Sequence, residues 1–132
     1  MFRGVSCCHF QRVVYYLMRF VGVIPARYSS TRLPGKPLID IAGKPLVQWV
    51  YERAREVCHL DDLLVATDDL RIMRVVENFG GKAVITRSDH LSGTDRVWEV
   101  AQKIEADVFV NIQGDQPLIS PRTIDSICSP FD

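Results

Sequence analysis

The sequence predicts an α/β chain built on a mostly parallel sheet with helices on both faces. Two observations point there: short, nearly continuous apolar runs rich in β-branched residues, and intervening segments whose apolar residues recur with helical period. Runs of the first kind suit strands covered on both faces. Regular alternation of strand and helix needs crossover connections, which join parallel neighbours.

The first strand is placed at Phe20 to Ile24, and the next three at Leu63 to Ala66, Ala83 to Ile85 and Val108 to Ile112. Between the first two, Leu46, Val47, Val50, Tyr51, Ala54 and Val57 fall on one helical stripe, with Pro45 suited to the first turn. A second helix carries Ile72, Val75, Val76 and Phe79, with Asp68 as its expected cap and Gly80 at the left-handed closing position. Ser92 and Asp95 stand three apart as in a capping box, opening a third helix through Val97, Val100, Ala101 and Ile104. A fourth begins with Ser120 as cap and Pro121 at the first helical position. Trp49 and Trp98 lie on helices, and packing is the expected role of each.

A chain of 132 residues, 47% apolar and 24% charged, is long and apolar enough for one globular domain with a sizeable core. Its formal net charge is zero, which argues against nucleic acid or an anionic membrane as partner and requires any anion site to be local. Cys7, Cys8, Cys58 and Cys128 form no C-x-x-C pair and have no histidine at zinc-ligand spacing, so they read as reduced thiols. Residues 1–18 read as an N-terminal extension outside the fold, with Met18 as the native start and a short transit or anchor peptide as the rival reading. The apolar run there, Val13 to Met18, is too short to span a membrane.

One connection is out of proportion. Strand-to-helix loops usually take about two to six residues, and the stretch from Pro25 to Lys44 takes many more. It leaves the carboxyl end of the first strand, where open α/β sheets hold their ligands. Arg27, Arg32, Lys36 and Lys44 face a single acid there, Asp40, an arrangement that a triphosphate would neutralise; a solvated basic loop is the competing reading of the charge count. Gly35 and Gly43 are expected to let backbone approach the ligand. The loop is neither a Walker A motif nor a Rossmann glycine fingerprint, which weighs against P-loop kinases and dinucleotide oxidoreductases.

Two further stretches follow later strands. In NIQGDQP, Asn111 to Pro117, Asp115 sits past a strand end where a carboxylate would bind Mg²⁺ bridging phosphate oxygens; the competing reading is a turn aspartate beside Gly114. In TRSDHLSGTDR, Thr86 to Arg96, the polar groups Arg87, His90 and Ser92 are candidates to read a nucleobase edge, although His90 alone earns no assigned role.

IPARYSSTRLPGKPL, VATDD, TRSDHLSGTDR and NIQGDQP occur in that order, and together they resemble the 3-deoxy-D-manno-octulosonate (Kdo) cytidylyltransferase family. The likeness runs from about Arg19 to the C-terminus. The resemblance implies a Rossmann-like nucleotidyltransferase fold, residues 19–132 being its nucleotide-binding part with the C-terminal half missing. It also implies a cytoplasmic enzyme, homodimeric at full length, that transfers CMP from CTP to the anomeric hydroxyl of Kdo with Mg²⁺ for lipopolysaccharide synthesis. Spore-coat-type cytidylyltransferases share the S-T-R-L-P-G-K loop and are the runner-up.

Carried over by motif, Arg27 and Lys36 stabilise charge near the α-phosphate, and Arg32 holds the outer phosphates. Pro25 and Ala26 contact the nucleotide through backbone, Arg87 and Gln113 border nucleotide and sugar, and Asp115 binds Mg²⁺. Gln116 stands where the family usually has glutamate, which removes a charge beside the metal. The family's second half supplies a further acidic metal ligand, most of the Kdo pocket and the dimer contacts. Weak CTP binding with poor turnover is therefore the expectation for this chain. A non-catalytic anion-binding module and a protein docking an acidic partner are the alternatives from other classes.

Overall fold

The computed structural model describes residues 18–29, 32–117 and 120–128. β1, Phe20–Pro25, is an inner strand, hydrogen-bonded in parallel on one side to β4, Asp62–Thr67, and on the other to β6, Val108–Asn111. β5, Ala83–Ile85, adds to β4, giving a four-stranded parallel sheet in the order β5-β4-β1-β6. The expected strands therefore form, and their pairing is parallel throughout.

Alternation along β1 divides the core. Phe20 and Ile24 face one side, with α1 (Leu46–Arg55), α2 (Leu70–Asn78) and α4 (Pro121–Cys128). Val21 and Val23 face the other, against Val97 and Val100 of α3, Gly93–Lys103. Val21, Val23 and Ile24 have no exposed surface, and burying such a side chain contributes about 1.5–3 kcal/mol. That anchoring fixes where β1 ends, and so where the following loop begins.

The helix ends follow their local chemistry, with two differences from expectation. Asp69, not Asp68, caps α2: its extended backbone lets the side chain accept from the Arg71 amide. Pro45 precedes α1 as its cap position, because it is held in the last pair of a small hairpin. At the end of α2, Gly80 adopts φ 88°, and the Gly81 and Gly80 amides donate to the Val76 and Glu77 carbonyls as in a Schellman motif. Ser92 caps α3 through the Asp95 amide as expected, and the Ser120 hydroxyl accepts from the Arg122 amide at the start of α4.

The long stretch after β1 is less open than the sequence suggests. It contains a 3₁₀ turn at Lys36–Leu38 and a hairpin of β2, Asp40–Ile41, and β3, Lys44–Pro45. Ala42 and Gly43 both take positive φ in its two-residue turn, and Asp40 accepts from the Gly43 amide. Gly43 is thus a turn glycine, not a point of ligand approach.

Trp49 packs as expected, donating from its indole to the Ile41 carbonyl at 2.6 Å. Trp98 does not: it is 67% exposed, because it lies on the face of α3 turned away from Val97 and Val100. Cys128 is a buried, reduced thiol whose pKa burial pushes up. The extension up to residue 17 lies outside the described residues, whereas Met18 packs against the larger core cluster. Among the described residues no helix is long and apolar enough to cross a membrane.

Candidate functional site

From β1 the chain crosses to β4 and then β5 on one side, and later returns to β6 on the other. The strand order reverses between β1 and β6, and such a switch point opens a crevice at the carboxyl ends of the strands. A cavity of about 290 Å³ lies there.

Its floor is β1 running out through Pro25, Ala26 and Arg27. The Ala26 amide still donates to Ala66, and the Ile112 amide to Val23, so β1 and the segment after β6 stay in register to the rim. Gln113, Gly114 and Asp115 form the adjacent wall. A Cβ on Gly114 would stand 2.8 Å from the Pro25 carbonyl oxygen, so only glycine permits this approach of the two segments.

Lys36 and Pro37 are brought back over the cavity by a backbone staple: the Gly35 amide donates to the Tyr28 carbonyl at 2.7 Å. Gly35 has φ 72°, and the Tyr28 ring covers its α-carbon. The Arg71 guanidinium also lies over that ring, 3.4 Å from its centroid. Gly35 therefore shapes the loop and lies outside the cavity lining. Pro37 is buried and fixes the turn, leaving Lys36 half exposed with its ammonium 3.7 Å from the Asp115 carboxylate.

The remaining wall comes from His90 and the start of α3, Ser92, Gly93 and Arg96. Here the connection after β5 is gripped by two buried charged residues of α3. Arg96 donates to the Thr86 hydroxyl and the Arg87 carbonyl, and Glu99 accepts from the Arg87 amide. Glu99 also meets His90 Nε2 at 2.8 Å and the Lys103 ammonium at 2.7 Å. The Lys103 contact, with the Arg87 amide and His90, holds the Glu99 carboxyl down at about 2 despite its desolvation.

The structure thus brings together Pro25, Ala26, Arg27, Lys36, Gln113 and Asp115. Arg32 is exposed and outside the lining, and the Arg87 side chain turns outward to Asp89 at 2.5 Å while its backbone is held by α3. Lys44 is also elsewhere, paired with Glu52 at 2.9 Å and set over the Trp49 ring. Sequence reasoning missed Arg96 and Glu99, which read as polar positions on an amphipathic helix, and gave His90 no role. Three apart on α3, both face the loop that the same helix follows, a placement that their spacing alone does not announce.

Asp115 is the cavity's carboxylate, and no group of three or more metal-ligating side chains occurs among the described residues. One hard oxygen ligand at the rim fits a cation held chiefly by substrate phosphates and water, and not one caged by protein.

A family model described as Cytidylyltransferase matches residues 21–130. The 3-deoxy-manno-octulosonate cytidylyltransferase of Escherichia coli is 56% identical over 111 residues, covering 84% of this chain and 45% of that protein. Its counterpart from Syntrophobacter fumaroxidans is 57% identical over 113 residues, covering 83% of this chain and 45% of the relative. The chain therefore spans about half the length of the curated relatives it matches. Among solved structures, a CMP:2-keto-3-deoxy-manno-octonic acid synthetase complexed with CTP aligns with TM-score 0.84 and 55% identity, over 86% of this chain and 47% of that one. A cytidylyltransferase from Leptospira borgpetersenii, 24% identical with TM-score 0.76, shares the fold. The match of the family model over nearly all of the described sheet and helices shows that this chain belongs to the cytidylyltransferase family.

Proposed function

We propose that this chain is the nucleotide-binding half of a Kdo cytidylyltransferase. The carrying observation is the convergence of Arg27, Lys36 and Asp115 on one cavity at the switch point of the sheet. In the reaction, the anomeric hydroxyl oxygen of Kdo bonds to the α-phosphorus of CTP and gives up its proton to water, the bond from that phosphorus to the oxygen bridging it to the β-phosphate breaks, and pyrophosphate leaves with the electron pair. CMP-Kdo is the product, and no covalent enzyme intermediate is needed.

The chain's residues act by positioning and charge. Lys36 and Arg27 neutralise the phosphate oxygens on which negative charge accumulates, the guanidinium offering paired donors and the ammonium a point charge. Pro25 and Ala26 supply a fixed backbone floor, and Gln113 an amide that donates or accepts. Arg32 and Arg87 lie beyond the cavity wall, which suits contact with the outer phosphates and the sugar end only where substrate extends past the rim. Asp115 is the residue that would hold Mg²⁺, which when bound shares the charge of the phosphate oxygens. The same reading carries a cytoplasmic setting, where CTP is available, and a homodimeric full-length enzyme.

Calorimetric titration of CTP with and without Mg²⁺ tests this. Mg²⁺-dependent binding that disappears in Asp115→Ala is expected. Binding indifferent to both metal and Asp115 would instead favour a non-catalytic anion-binding module.

A further inference from the structure

His90 stands in the cavity wall with its side chain only 15% exposed, and its Nε2 is the nitrogen that meets Glu99. The partner is a carboxylate already bonded by the Lys103 ammonium and the Arg87 amide, two groups that both favour its ionised form. An ionised carboxylate only accepts hydrogen bonds. In the neutral imidazole the proton must therefore sit on Nε2, and Nδ1 is left with a lone pair and no proton. Among the described residues His90 makes no other hydrogen bond.

The two ends of the cavity differ in charge. Lys36 offers a cation at one end, beside Asp115, and Arg27 adds a second to the lining. The wall made by His90, Ser92 and Gly93 offers none, since Arg96 is 2% exposed with its Nη1 committed to Thr86 and Arg87. A triphosphate belongs at the first end, which puts the nucleobase of the same nucleotide against the His90 wall.

We propose that His90 Nδ1, fixed as a hydrogen-bond acceptor by the Glu99–Nε2 contact, selects cytosine by accepting from its exocyclic amino group. Uracil presents an oxygen at that position, which would set lone pair against lone pair and leave both unpaired. Glu99 is then a positioning residue acting through His90. The inference rests on the nucleotide-binding reading above, and deepens it to the base.

The test uses the whole 132-residue chain. Long-range ¹H–¹⁵N correlation of the histidine side chains in the ligand-free protein is expected to show His90 as the Nε2–H tautomer. Glu99→Gln, whose amide can accept or donate, is expected to give mixed tautomers. Calorimetry with CTP and UTP should show the wild type preferring CTP by at least about tenfold, as expected for a site built around one buried hydrogen bond. His90→Phe should weaken CTP while leaving UTP little changed, and Glu99→Gln should lower the ratio with the fold intact by thermal melting. An Nδ1–H tautomer in the wild type would overturn the proposal, as would equal losses of CTP and UTP in His90→Phe. A CTP preference that survives both variants would overturn the His90 assignment alone. Failure of the wild type to bind any nucleotide would overturn the functional reading as well.

Discussion

The Lys36 ammonium lies 3.7 Å from the Asp115 carboxylate, joining the loop after β1 to the turn after β6 across the mouth of the cavity. Both side chains are about half exposed, at 45% and 54%, so the pair is a solvent-screened one that contributes at most about 1 kcal/mol to stability. Its significance is positional: it puts a cation and a metal-competent carboxylate within reach of the same phosphate group.

Asp115→Ala should accordingly leave the fold intact. A change in stability within about 1 kcal/mol by denaturant melting is expected, together with loss of the Mg²⁺ enhancement of CTP binding. A large loss of stability would mean that Asp115 is chiefly a structural turn residue.

Arg27→Ala and Lys36→Ala should each weaken CTP binding by roughly ten- to a hundredfold, the range of a lost hydrogen bond to a charged group. Arg32→Ala should weaken it less, because Arg32 stands outside the cavity lining. Calorimetry under one ionic strength ranks the three, and an Arg32 effect equal to that of Arg27 would show that the triphosphate extends well past the rim.

Gly114→Ala should destabilise the chain by about 1–3 kcal/mol, as overpacking does. The added methyl meets backbone, the Pro25 carbonyl oxygen at 2.8 Å, and cannot rotate away. Melting temperature and CTP affinity should fall together, since relief of the clash parts the cavity floor from its adjacent wall.

Acid should release the loop after β5. Glu99 has its carboxyl lowered from 4.5 to about 2, so its contribution is complete above about pH 4.5 and lost as pH falls through about 2. The Arg87 amide resonance, which reports its bond to Glu99 in the folded chain, should stay put through pH 4.5 and shift with a midpoint near pH 2. In Glu99→Gln that acid transition should vanish.

The two tryptophans give a direct check of the helix faces. Trp98, 67% exposed, should be readily quenched by acrylamide, and Trp98→Gln should change stability by no more than about 0.5 kcal/mol. Trp49, bonded to the Ile41 carbonyl, should be the better protected.

What the sequence determined by itself was local. Short continuous apolar runs marked the strands and period-3.6 spacing the stripes of α1, α2 and α3, and the Ser92–Asp95 and Gly80 signals marked helix ends, because each depends on residues within a turn or two. Arg27, Lys36 and Asp115 were also legible, as charged residues in the loops that follow strands. Tertiary structure alone decided which of these met. Strand order set the crevice between β1 and β6, the Tyr28–Gly35 staple returned Lys36 to it, and ion pairs with Glu52 of α1 and with Asp89 diverted Lys44 and Arg87. The burial of Arg96 and Glu99 came from the same source: a charged side chain on a helix is polar surface until a second segment brings backbone amides and carbonyls to satisfy it, and no spacing within the helix says that such a segment will arrive.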